Sequence, residues 1–411
     1  MSDQKLYYFS EEDNETRNDF AVFCLIFVLT CNPYFLRILG KEMQVLLPAA
    51  IGVFWAFHRR IKIASSDFLV CVSFLFVMSV HLLEFGSVTI ASSLSMLVKI
   101  LTGLVVVRFS RDIDRSYILM MYGVSIFSFL FYFPTLAGLP VENLLSSIGQ
   151  NAGELGGLHV GFYNFKVEHS GVEFLRNPGF FGEPGIFACL IVFALLLAAK
   201  NMSTTPTRFF YVLYAALITT QSTTGYIAGA AVFMFLMFKS KAVAKYVEVF
   251  SMAFRIAIGV ISIVGIIYIF SDSSFLLEKI QQQFVMFEQR DEGWELTRWG
   301  NADFDWEFIV DRPLFGWSQL WETRGLQNVE FVDRFGNGLT GFIVRFGFVG
   351  FGLFLLFAFR TMSHIYNSKG VAALAVGLIV VMLFGEFLLS FPIFLALMFQ
   401  REHLPVPNSL Q

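Results

Sequence analysis

Apolar stretches, most of them about 15 to 22 residues long, recur along almost the whole chain, and they constrain the fold before any single residue is considered. A helix rises about 1.5 Å per residue, so about 20 apolar residues cross the roughly 30 Å hydrocarbon core of a bilayer. Such runs fall at 20–38, 43–58, 67–84, 87–107, 117–137, 185–199, 209–221, 223–238, 249–270, 338–359, 370–384 and 386–400. Backbone groups in lipid must pair internally, so these runs are predicted helices. The seventh and eighth are separated only by the Gln221–Thr224 region, and the last two read either as two spans or as one broken helix. Composition agrees: 56% of the 411 residues are apolar and 15% charged, with 51 phenylalanines, against roughly 45–50% and about 25% in a soluble domain. The expectation is an all-α integral membrane protein, one polytopic domain over 1–411 with about twelve transmembrane helices.

Basic residues orient it. With the N-terminus inside, Arg59, Arg60, Lys62, Arg108, Arg111, Arg115, Lys200, Arg208, Lys239, Lys241, Lys245, Arg360 and Lys369 fall in the cytoplasm. The opposite short loops hold only Arg37 and Lys41. Positive charge stays inside, so both termini are expected in the cytoplasm. Met1–Phe20 carries Glu11, Glu12, Asp13 and Glu15 where a secretory signal would be basic, so the first run reads as a retained anchor.

Two segments break the rhythm, 138–184 and 271–337, and both fall outside. Loops this long are usually functional. In the second, Leu276, Leu277, Ile280, Phe284 and Phe287, then Trp299, Ala302, Trp306 and Ile309, recur at helical spacing. They predict short amphipathic helices, which either lie on the membrane surface or pack on each other as a cap.

Several classes of chemistry are excluded. The net charge of −3 and the lack of a basic, aromatic-interleaved stretch argue against nucleic acid. Cys24, Cys31, Cys71 and Cys189 lie in apolar runs, with neither disulfide-framework nor zinc spacing. There is no Walker loop. His159 and His169 share a loop without carboxylates or cysteines at metal-site spacing, and Asp112-Ile113-Asp114 and Asp303-Phe304-Asp305 are not taken as metal sites. No metal and no cofactor is expected.

Three stretches stand out. Arg176-Asn177-Pro178-Gly179-Phe180-Phe181-Gly182-Glu183-Pro184-Gly185 leads into the sixth run. Arg298 through Trp317 contains Trp306 and Arg312-Pro313-Leu314-Phe315-Gly316. Gly336-Asn337-Gly338 precedes Arg345-Phe346-Gly347-Phe348-Val349-Gly350, with Asn337 eight residues before Arg345. Together with Ser222-Thr223-Thr224-Gly225, their order and spacing over 170–360 resemble the O-antigen polymerase and ligase superfamily of bacterial membrane proteins. Two positions depart from that pattern: Gly336 stands where the family has histidine, and Arg345 where it has glutamate. The resemblance implies that the ligases depend on that histidine, so the departure favours a polymerase.

The resemblance implies a GT-C-like layout with two large periplasmic loops. It also implies a reaction that joins undecaprenyl-pyrophosphate-linked oligosaccharides at the periplasmic face of the inner membrane. A hydroxyl on one unit attacks the anomeric carbon of the other, and lipid pyrophosphate leaves without nucleotide or metal. Arginine suits the departing charge because its planar fork holds phosphate oxygens in pairs. Arg176, Arg298 and Arg345 are the catalytic candidates, with Glu183 as base and Arg312, Asn337, Asp305 and Trp306 as substrate-binding candidates. Glu183 reads equally as a partner for Arg176 or another arginine, or as a carboxylate at a helix start. Arg345 reads also as snorkelling outward or pairing with Glu386, Asp305 as a structural partner of Arg298 two turns away, and Trp306 and Trp317 as interface anchors. Lys99 and Arg255 read as structural. Membrane lipids and a chain-length regulator are the implied partners. A ligase, or a flippase or other transporter for polyprenyl-linked glycans, are the rivals; the transporter predicts internal repeats and paired broken helices.

Overall fold

The computed structural model describes residues 14–61, 63–110, 112–151, 158–165, 175–200, 205–239, 298–320, 322–324 and 337–399. The predicted run 249–270 and the Leu276–Phe287 pattern lie outside the described residues. What is described is mostly helical. The helices are α1 (Asn14–Cys31), α2 (Pro33–His58), α3 (Ser65–Phe85), α4 (Ile90–Phe109), α5 (Ile113–Leu136), α6 (Val141–Leu145), α7 (Pro184–Lys200), α8 (Thr207–Thr219), α9 (Thr223–Lys239), α10 (Arg298–Asp311), α11 (Gly338–Tyr366) and α12 (Lys369–Gly385). Three helical stretches, Ser65–Phe109 (α3 and α4 with the 3-10 turn between them), Ile113–Leu136 and Gly338–Tyr366, are long and apolar enough to cross a membrane. Pro184–Lys200, Thr207–Thr219, Thr223–Leu236 and Lys369–Gly385 are apolar but shorter.

The centre of the bundle is α7. Every side chain from Phe187 to Ala199 is buried, as expected of a helix apolar all round. Lipid is as apolar as leucine, so helix association rests on close packing and polar ties. Three such ties lie at one end of the bundle. Arg108 clasps the buried Asp67 through two 2.6 Å hydrogen bonds. Arg59 holds Asp19 at 2.9 Å, and Lys200 meets Asp114 at 3.2 Å. Asp112 caps α5 by accepting from the Arg115 backbone, so the first Asp-x-Asp triplet serves a helix start and an interhelical tie.

The structure corrects the sequence reading in three places. The segment between α5 and α7 holds an antiparallel three-stranded sheet, β1 (Gln150–Asn151), β2 (Leu158–Val160) and β3 (Tyr163–Phe165), beside the short α6, so the fold is not strictly all-α. The strands are too short for an alternation signal. The sheet is tied down by Asn164, which donates to the Phe181 carbonyl, and by Asn32, which donates to that of Gly161. The run at 386–400 is not a continuous helix: it is broken into Leu388–Ser390, Pro392–Leu395 and Ala396–Met398. There Pro392 forbids a helix continuing from above, and the segment packs on α4, whose Gly103 leaves no room for a Cβ beside the Pro392 carbonyl. Finally, α1 already ends before Asn32, inside the predicted run 20–38, because the Asn32 side chain caps α2 and Pro33 opens it; the predicted gap after residue 38 coincides with the break in α2 at Gly40, φ +79°.

Helix α11 is also discontinuous. Gly347 sits at φ +65°, ψ −177°, a conformation open to glycine almost alone. The Arg312–Gly316 turn docks into this break. Phe348 and Val349 donate to the carbonyls of Pro313 and Leu314, and Trp317 and Ser318 donate to those of Val344 and Arg345. Backbone groups freed by the break are thus paired by the loop.

Candidate active site

The other end of the bundle gathers the starts of α7, α9, α10 and α11 around the end of α12. Position Gly185 and Lys200 lie at opposite ends of α7, about 22 Å apart at 1.5 Å per residue, so this cluster is remote from the Asp114–Lys200 tie. At its heart Arg298, opening α10, donates to the Thr224 hydroxyl at 2.8 Å and to the Glu386 carboxylate at 2.6 Å. Glu386 is buried. A Cβ on Gly185 would overlap its carboxylate, and one on Gly338 would overlap its carbonyl, so only glycine lets α7 and α11 approach so closely. Asn337 caps α11 by accepting from Leu339 and Thr340, and its amide donates to the Arg298 carbonyl at 3.3 Å.

Two turns along α10, Asp305 accepts from the Thr340 hydroxyl at 2.5 Å. Burial pushes the Asp305 carboxyl up to about 6, while Thr340, Arg324 and Arg345 pull it down. Arg324, in the turn Glu322–Arg324, is also buried; burial and the neighbouring Arg345 lower it to about 9, against the pull of Asp305. Arg345 lies with its guanidinium carbon 4.3 Å from the Phe387 ring centroid, and its buried Nε has no hydrogen-bond partner among the described residues. Asp305 therefore lies in the field of two guanidinium groups.

The segment 176–185 is strapped to the turn between α8 and α9. Arg176 Nε donates to the Thr220 carbonyl at 3.3 Å, and the Asn177 amide donates to the hydroxyls of Ser128 and Thr219 at 2.9 Å. Gly179, at φ +58°, lies against the Phe187 ring. The same turn carries Thr224, so Arg176 and Arg298 reach one short element from two sides. Glu183 is exposed at the start of α7.

The sequence candidates thus separate. Arg298, Asn337, Asp305 and Arg345 fall in one contiguous cluster, and Arg176 and Glu183 border it. Arg312 does not join it. It pairs with Glu84 at 2.6 Å and is sandwiched between Phe85 and Trp317, 4.7 and 4.6 Å from their centroids. Trp317 donates its indole to the Phe308 carbonyl, so it belongs to that sandwich. Trp306 is 55% exposed on the outward face of α10. Two pairings considered from sequence do not form: Glu386 pairs with Arg298 rather than Arg345, and Asp305 pairs with Thr340 rather than Arg298. Sequence reasoning missed Thr340, Arg324 and Phe387 and gave Glu386 only a partner's part. The one available signal was that Glu386 is the single charged residue in 371–399.

Chemically, the cluster offers guanidinium groups for phosphate oxygens, a carboxylate that titrates near neutrality, and an exposed aromatic. Among the described residues no group of three or more His, Cys, Asp and Glu is arranged to hold a metal ion. No protein-family model matches the chain, and no curated protein matches it.

Proposed function

We propose that this chain polymerises undecaprenyl-pyrophosphate-linked oligosaccharide repeat units at the periplasmic face of a bacterial inner membrane, through about twelve spans with both termini in the cytoplasm. The observation that carries the reading is the setting of Arg345 near the start of α11: its guanidinium carbon lies 4.3 Å from the Phe387 ring centroid, and its buried Nε has no hydrogen-bond partner among the described residues. A cation held in a partly apolar setting is stabilised by an anion that arrives, and a diphosphate leaving group is such an anion. Arg345 and Arg298 steady the charge that develops on the lipid pyrophosphate as the glycosidic bond breaks. Asp305 or Glu183 receives the proton of the attacking hydroxyl, and Trp306 offers a face to a sugar ring. The order of Arg176…Glu183-Pro184, Arg312…Gly316 and Asn337…Gly350 along the chain supports this assignment, as does the absence of the ligases' histidine at Gly336.

Gene deletion tests it. Loss of a polymerase leaves one repeat on the lipid core, restored to long chains by the wild type and not by Arg345→Gln. Loss of a ligase would leave none.

A transporter of polyprenyl-linked glycans has one observation in its favour: α2 and α11 are both interrupted, at Gly40 and Gly347, and paired broken helices are a feature of transporters. Translocation of lipid-linked units without any new glycosidic bond would select that reading.

A further inference from the structure

A cavity of about 470 Å³ lies beside the start of α7. Gly185 touches Glu386, whereas Gly182 and Ile186 line the cavity. Its other walls include Gln44 from α2, Ser95 and Lys99 from α4, and Ser390 from the broken C-terminal segment. Among the described residues, Lys99 is the one charged side chain lining it. Among the described residues Lys99 makes no ion pair or hydrogen bond, and the nearest charge acting on it is the like charge of Arg345. Ser95 stands four residues before Lys99, hence on the same helix face, and its hydroxyl is likewise without a partner among the described residues.

Lys99 is about 14 Å along α4 from Ile90. An ammonium at such depth is costly unless a counter-charge or a polar cavity compensates it. Among the described residues no carboxylate lines this one. Beside the lining residues, Met43, Leu46 and Leu94 expose apolar side chains, at 46%, 51% and 56%, the surface against which a hydrocarbon tail would lie.

We propose that this cavity binds the phosphate or diphosphate headgroup of a membrane lipid, with the Lys99 ammonium as its charge partner and the Ser95 hydroxyl as a second donor. A volume of 470 Å³ exceeds what a diphosphate needs and fits a headgroup with its first attached unit. None of the clustered arginines lines the cavity, although Arg345 is near enough to act on Lys99, and the proposal does not depend on the polymerisation reading.

The test uses the full chain in nanodiscs of neutral phosphatidylcholine. Binding of geranylgeranyl diphosphate, geranylgeraniol and inorganic pyrophosphate is measured for the wild type and for Lys99→Met, Lys99→Arg and Ser95→Phe. The diphosphate lipid is expected to bind the wild type, with affinity about tenfold or more lower in Lys99→Met and largely kept in Lys99→Arg. Ser95→Phe fills the cavity with Lys99 intact and gives the same loss by an independent change. Geranylgeraniol is expected not to bind. If pyrophosphate alone binds with the same Lys99 dependence, the free anion suffices as ligand; if only the lipid does, the tail is required, and either result supports the site. Equal affinity in the wild type, Lys99→Met and Ser95→Phe, or no binding of either phosphate probe to the wild type, would overturn it.

Discussion

Gly316 and Gly347 meet backbone to backbone: a Cβ on Gly316 would lie 2.7 Å from the Gly347 nitrogen, and both residues have positive φ, +74° and +65°. Two sequence elements separated by 31 positions therefore form one joint, in which the loop after α10 fills the break in α11. The joint fixes where Arg345 stands relative to Asp305.

Substitution at the joint should be costly. Gly347→Ala combines a backbone conformation that costs about 1–3 kcal/mol for other residues with a Cβ driven into the Leu314 carbonyl. A destabilisation of about 3 kcal/mol is expected, read as a lower melting temperature in detergent. Gly352→Ala, where a Cβ meets nothing within 4 Å, should be neutral or slightly stabilising.

Removing either member of the Arg298–Glu386 pair should cost about 3–5 kcal/mol, because the remaining charge stays desolvated. The two side chains are 27% and 5% exposed. In a double-mutant cycle of Arg298→Met and Glu386→Gln, the double variant should lose clearly less than the sum of the singles. Additive losses would show that the pair is uncoupled.

Stability should fall as pH rises through the range in which Asp305 ionises. Its carboxyl titrates near 6 when folded and near 3.9 when unfolded, so between these values the folded state holds more protons. Full benefit is present below about pH 4 and is lost by about pH 6, a swing on the order of 3 kcal/mol. Asp305→Asn should flatten the melting temperature across this window relative to the wild type.

The arginines should not be equivalent. Arg345→Lys keeps the charge but not the planar fork, and together with Arg345→Gln it should lower the rate of chain extension by about 10²–10³-fold. Arg312→Ala removes a half-exposed ion pair and a stacking contact. It should cost about 1 kcal/mol or less in stability and change the rate only a few-fold. Rates from purified variants at matched expression check both.

The helical framework was legible because long apolar runs carry their own signal. Runs at 185–199, 338–359 and 370–384 correspond to α7, α11 and α12 within a few residues, apart from the longer C-terminal reach of α11. The C-terminal run misled because hydropathy does not register Pro392 as a break. In the site, Arg298, Asn337 and Arg345 were visible through motif spacing. Their partners were not: Arg298 and Glu386 are 88 residues apart, and nothing local in either segment specifies the other. Arg312 shows the converse, since its motif was recognisable while Glu84, 228 residues away, decides what it does. The small sheet at 150–165 was hidden by strands of two and three residues.

The central claim is that Arg345 in α11 and Arg298 at the start of α10 stabilise a departing lipid diphosphate during glycan polymerisation. Purified full-length protein given undecaprenyl-diphosphate-linked repeat units, without nucleotide, tests it most directly, with glycan length and free undecaprenyl diphosphate measured together. The account predicts a ladder of longer chains, one lipid diphosphate released per bond formed, and both signals strongly reduced in Arg345→Gln. Repeat units that stay unextended with wild-type protein, or a ladder of equal rate and length in Arg345→Gln, would contradict it.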